Sequence, residues 1–174
     1  MEFDPKKFKR LVHYIVWKVG KDAWFGATKL NKVLWFADAR AYALTGQPIT
    51  GETYTRGEFG PVPAHIMPVR AELVREKAIR ITEEGKLTRI VALAPAQQNW
   101  FSLTELQSID WWAEHISKNH TAASISEETH DYAWEIAKMG EELPLYAYRV
   151  ARIKEPSDED LKRLKERAKE LGIA

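Results

Sequence analysis

Apolar residues recur along most of the chain at the three-to-four-residue spacing of buried helical faces. Asp4 stands where an N-cap belongs, Pro5 suits the first helical position, and Phe8, Leu11, Val12, Ile15, Val16 and Val19 form one stripe behind them. The stretch Lys29 to Leu44 predicts a second helix, with Leu30, Val33, Leu34, Ala37, Ala41 and Leu44 on one face. Trp35 and Phe36 fall roughly 140° and 240° around from Leu30, so this helix is apolar on nearly every side and is expected at the centre of the fold. Gly46 ends it. Beyond it, Gly51, Gly57 and Gly60 alternate with prolines at 48, 61 and 63, a composition that favours turns, short strands or an ordered loop. A third helix is expected over residues 64–77, with Pro68 either kinking it or marking its start. Ile79 and Ile81 before EEGK, and Leu87, Ile90, Val91 and Leu93 after it, predict a small antiparallel hairpin.

Two overlapping capping boxes, Ser102 with Glu105 and Thr104 with Gln107, announce a helix running to Lys118 whose core face is Leu106, Ile109, Ala113 and Ile116. Trp111 lies roughly 200° from Ile109 and so faces a second packing layer or a partner. Short helical pieces are expected over residues 122–138. After a break at residues 152–156, Ser157 caps a highly charged helix whose apolar stripe is Leu161, Leu164, Ala168 and Leu171. That stripe is narrow and suits docking on a surface or pairing with another copy as a homo-oligomer. The fold class that follows is mainly α: a compact multi-helix bundle around the Lys29–Leu44 helix, with one small antiparallel β-hairpin. Residues 1–151 form its domain and residues 152–174 a linker and charged amphipathic helix.

The 174 residues, 45% of them hydrophobic, can bury a substantial core. Basic and acidic side chains nearly cancel, 26 against 25, so no global field draws the chain to nucleic acid or to an anionic membrane. Cysteine is absent, which removes disulfide, thiol-redox and Cys-ligated zinc chemistry and fits a reducing, cytoplasmic setting. The first residues, MEFDPKKFKR, carry no apolar signal core, and no run approaches the roughly 18 apolar residues of a membrane span.

Candidate chemistry is thin. The five histidines, at 13, 65, 115, 120 and 130, lack an HExxH pattern, and His115 and His120 diverge if both are helical, so no metal site and no cofactor is expected. Ser126 and His130, with Asp131 or Glu135 as orienter, could be read as nucleophile and base. Without a GxSxG elbow, Ser126 reads better as a helix cap. Adjacent acids such as Glu127 with Glu128 cannot converge on one atom from a helix, and the loop glycines do not form a phosphate cradle. Lys29, Lys32, Asp38 and Arg40 decorate an apolar helix and need partners. The loop is expected to fold back so that Lys32 or Arg40 meets Glu52 while Tyr54 and Phe59 cover Trp35. The same loop could present Tyr54, Arg56 and Phe59 to a partner, since aromatics and Arg dominate interface hot spots.

The blocks KLNKVLWFAD, TGQPITGETY and EFGPVP, followed by ISEETHDYAW, resemble the Panacea domain, the SocA-like antitoxin domain. Leu103, Thr104, Ile109 and Asp110 agree with it, and the resemblance runs from about Phe8 to Tyr148. It implies a non-enzymatic antitoxin of a type II toxin–antitoxin system that neutralises an adjacently encoded toxin by direct protein contact, and a further role delivering the toxin to a protease complex as an adaptor. It singles out Lys32, Trp35, Asp38, Gly51, Glu52, Gly60, Pro61, Ser126 and Trp134 as structural or interface motif positions. His130 joins Tyr54, Arg56, Phe59 and Trp111 as a candidate toxin contact, its simpler role being to lock the turn between two helices by bonding backbone carbonyls. The chain departs from the family with Trp35 and Phe59 where Tyr is common. The alternative is a winged-helix-like DNA-binding regulator, against which stand the balanced charge of the third helix and the long Gly/Pro connection before it.

Overall fold

The computed structural model describes residues 1–150 together with 162, 163, 166 and 167. It is mainly α with some β. The first helix, α1 (Pro5–Val19), opens as expected, with the Asp4 side chain accepting the Lys7 amide at 2.9 Å, and buries its whole predicted stripe plus His13 and Tyr14. Helix α2 (Ala27–Thr45) buries eleven of its nineteen residues, Trp35 and Phe36 among them, so its neighbours lie on several sides. Leu44 is the exception. It is 62% exposed because the last turn outruns the elements packed on the helix. Gly46, at φ 75°, closes the helix in the left-handed conformation and donates its amide to the Tyr42 carbonyl.

Strands β1 (Tyr54–Gly57) and β2 (Gly60–Pro63) pair antiparallel, Tyr54 opposite Pro63 and Gly57 opposite Gly60. A two-residue strand, β5 (Glu142–Leu143), adds to the other side of β1, giving the order β2-β1-β5. The expectation of a single hairpin is therefore corrected. Short strands were one expectation for this Gly/Pro segment, and the two prolines of β2 are tolerated because it is an edge strand whose outer amides need no ladder partner. Helix α3 (Ile66–Arg75) has Pro68 as its third residue, inside the first turn, where the missing amide had no helical acceptor to lose. The predicted hairpin is present as β3 (Ile79–Glu84) and β4 (Leu87–Ala92), turning at Gly85 and Lys86.

Helix α4 (Leu103–Asn119) begins at a reciprocal box, the Glu105 amide bonding to Ser102 and the Ser102 amide to the Glu105 carboxylate. Thr104 falls inside the helix, so the second predicted box is not used. Ile109, Trp112, Ala113 and Ile116 are buried, and the Trp112 ring stacks on Phe36 of α2 at 4.3 Å. Lys7 and Lys18 of α1 bridge to Glu105 and Asp110 of α4, and Lys9 reaches Glu72 and Glu76 of α3 or its end. Three short helices follow: α5 (Ala122–Glu128), α6 (Tyr132–Ile136) and α7 (Ala147–Val150). Thr121, not Ser126, caps α5. Ser126 sits inside it with its hydroxyl donating to the Ala122 carbonyl at 2.8 Å, which corrects its reading as a cap. Among the described residues no helix is long and apolar enough to cross a membrane. The expected helix from Ser157, with its stripe Leu161, Leu164, Ala168 and Leu171, lies outside the described residues except for 162, 163, 166 and 167, which are helical; Lys162, Arg163, Glu166 and Arg167 are exposed.

Candidate interaction surface

Two anchors hold the segment between α2 and α3. Asp38 is fully buried and accepts the Ile49 amide at 2.6 Å and the Tyr54 hydroxyl at 2.9 Å. Burial outweighs these bonds and pushes its carboxyl up to about 6. Tyr54 in turn lies edge-on to Trp35 at 5.1 Å. The second anchor is Glu52, 4% exposed, whose carboxylate accepts the Thr53 amide at 2.7 Å and meets His65 Nδ1 at 2.9 Å. At Gly51, with φ 70°, a Cβ would fall 2.7 Å from the Glu2 carbonyl oxygen, so the N-terminal segment closes over it only because the side chain is missing.

These contacts correct the expected pairing of Glu52 with Lys32 or Arg40. Lys32 points instead at the β1–β2 turn, where its ammonium donates to the Phe59 carbonyl, and Arg40 points out to the Trp111 ring at 5.2 Å. Lys32 is 1% exposed and burial pushes it down to about 7, with no carboxylate paired to it among the described residues. Gly60, at φ 101°, is what lets the turn approach: the Lys32 ammonium and the Thr129 hydroxyl occupy the space a Cβ would need.

The second half of the cluster comes from α5 and α6. The Thr129 hydroxyl donates to the Ser126 carbonyl at 2.8 Å, and Asp131 caps α6 by accepting the Trp134 amide. The Trp134 indole N–H donates to the Gly57 carbonyl at 3.1 Å, and Arg56 returns a bond from Nε to the Trp134 carbonyl at 2.8 Å. The Arg56 guanidinium lies 4.0 Å from the Trp134 ring centroid, and His130 stacks on the same indole at 3.7 Å. His130 Nε2 is buried without a hydrogen-bond partner, so its ring is held by stacking and not by a bond to a backbone carbonyl, while its amide donates to the Glu127 carbonyl at 3.1 Å. Burial first, then the charges of Lys32 and Arg56, keep its imidazole below its ordinary value and hence neutral at pH 7. The segment 51–61 and the segment 126–134 thus meet through Lys32, Gly60, Thr129 and Trp134, far apart in sequence and in contact in space.

Tyr54 is 1% exposed, so its expected display to a partner is corrected: alternation along β1 turns it inward onto Trp35. Phe59 does not cover Trp35 but stands 60% exposed at the tip of the β1–β2 turn. Arg56, His130 and Trp134 are half-buried beside it. Trp111, 45% exposed and stacked on His115, belongs to a different patch with Arg40, which follows Lys32 on α2 by eight residues, about 12 Å of helix. Sequence reasoning missed a third group, Tyr132, Ile136, Met139 and Tyr146, each more than half exposed. A five-residue helix such as α6 carries no readable periodicity.

His115 and His120 do approach, with their Nε2 atoms 3.3 Å apart, because His120 leaves the helix in an extended conformation; the expectation that they diverge is corrected. Among the described residues no group of three or more His, Asp or Glu is arranged to hold a metal ion.

Residues 30–135 match the family model for the antitoxin SocA-like, Panacea domain, and the chain belongs to that family. No curated protein and no solved structure matches it.

Proposed function

We propose that this chain is the antitoxin of a type II toxin–antitoxin system and neutralises a cognate toxin, encoded beside it, by direct protein contact. The observation that carries this reading is membership of the SocA-like antitoxin family over residues 30–135. The surface supports it. Phe59, Arg56, His130 and Trp134 offer aromatic and arginine side chains on a rigid frame, and Trp111 with Arg40 offers a second such group. In this reading residues 1–151 are the toxin-binding domain and residues 152–174 an appendage. The solvent face of α3 speaks against the DNA-binding alternative: Met67, Pro68, Ala71, Val74 and Arg75 are exposed there, with one cation among them.

The test is co-expression. The neighbouring open reading frame is expressed alone and with this chain, growth is followed, and the two proteins are copurified. Rescue with a stable complex is expected, weakened at least tenfold by Phe59→Asp with the unfolding midpoint unchanged, and weakened likewise by Trp111→Asp. A harmless neighbour, or rescue without a complex, overturns the reading.

A further inference from the structure

Between α6 and the β5–α7 segment lies an open apolar groove of about 390 Å³. Its walls are Tyr132, Ile136, Leu143 and Tyr146, and two carboxylates, Glu141 and Glu142, line it. Tyr132, Ile136 and Tyr146 are 72%, 65% and 59% exposed, and Tyr132 and Ile136 stand one helical turn apart on α6. Large side chains left in water around a concavity are the mark of a surface that awaits a partner. Among the described residues, the groove lining holds these two carboxylates and no lysine, arginine or histidine, although the whole chain has a formal charge of +1. The Glu141 carboxylate accepts the Lys138 amide at 2.6 Å, and Glu141 and Glu142 are both exposed.

We infer that this groove receives a cationic amphipathic segment of the toxin, whose apolar side chains enter between Tyr132, Ile136 and Tyr146 while its lysines or arginines meet the carboxylate rim. The inference rests on the antitoxin reading above and adds to it the place and the chemistry of the contact. An acidic or neutral segment would leave the rim carboxylates facing like charge or desolvated without a partner.

The experiment uses the full chain and two probes. The first is a fluorescent synthetic helix of leucine and lysine in amphipathic order, with a control in which glutamate replaces every lysine. The second is the protein encoded by the neighbouring frame. The basic peptide is expected to bind at least tenfold more tightly than the acidic one, to lose at least tenfold on Ile136→Asp or on Glu142→Lys, and to be displaced by the neighbouring protein. The substituted side chains are exposed, so unchanged unfolding midpoints are expected and are checked. Equal affinity for the two peptides overturns the inference. If the neighbouring protein binds the wild type and the groove variants equally, the antitoxin reading stands and the groove falls. If it binds neither, both fall. A rise of tenfold in peptide affinity on Leu161→Asp with Leu164→Asp would make the chain's own C-terminal segment the occupant, and a wild-type dimer broken by Ile136→Asp would make it a second copy; either result overturns the toxin as occupant.

Discussion

Replacing Tyr54 by Phe removes one hydroxyl and leaves the ring that lies against Trp35. The loss falls on Asp38, which is fully buried and accepts that hydroxyl at 2.9 Å. Its carboxyl is raised to about 6 from an ordinary 3.8, so ionising it in the folded protein costs roughly 3 kcal/mol. Because the folded value lies above the unfolded one, that cost is absent below pH 3.8 and fully developed above about pH 6. A hydrogen bond to the charged form is worth about 1.5–3 kcal/mol and one to the neutral form about 0.5–1.5 kcal/mol. Tyr54→Phe should therefore lower stability by about 1.5–3 kcal/mol at pH 8 and by about half of that at pH 4.5. At roughly 2–4 °C per kcal/mol for a chain of this size, the midpoint falls by about 3–12 °C at pH 8. Thermal and urea unfolding followed by tryptophan fluorescence at the two pH values measures both numbers. An equal loss at pH 4.5 and pH 8, or no loss at pH 8, refutes the argument that the hydroxyl serves a buried carboxylate.

Gly60→Ala should cost at least about 2 kcal/mol, from the backbone at φ 101° and from the displacement of Lys32 and Thr129. Gly46→Ala, also at positive φ but with nothing within 4 Å, should cost about 1–2 kcal/mol; urea midpoints that rank the two variants equal would show that the turn does not need the close approach. Lys32 is lowered to about 7 from an ordinary 10.5, so its ammonium penalises the fold fully below pH 7 and the penalty is relieved as pH rises towards 10.5. Wild-type stability should therefore gain up to about 1.4 kcal/mol per pH unit between pH 7 and 9.5 from this group, a gain absent in Lys32→Met; parallel profiles for the two proteins would refute it.

Much of the helical framework was legible because periodicity and capping are local. Asp4 with Pro5, the stripe from Phe8 to Val19, the Ser102–Glu105 box and Gly46 each report on a neighbour within four residues. The Ile79–Ala92 hairpin was legible for the same reason, since its turn and alternation lie in one stretch. The second sheet was not. Short strands were one of two expectations for the segment that holds β1 and β2, but β5 is two residues long and its pairing with β1 joins Thr55 to Glu142, 87 residues apart. The partners of the charged residues of α2 and the loop were not legible: Glu52 took His65, Asp38 took Tyr54, and Lys32 took a carbonyl.

The sequence by itself determined the starts of α1 and α4, the end of α2 and the apolar stripe of α1, because each of these follows from chemistry a few bonds away. Only the tertiary structure decided that Tyr54 turns inward and Phe59 outward, that His130 is held by stacking on Trp134, and that Tyr132, Ile136 and Tyr146 surround an acidic-rimmed groove. Burial and electrostatic environment are sums over neighbours from every element, and no local pattern in the chain encodes that sum.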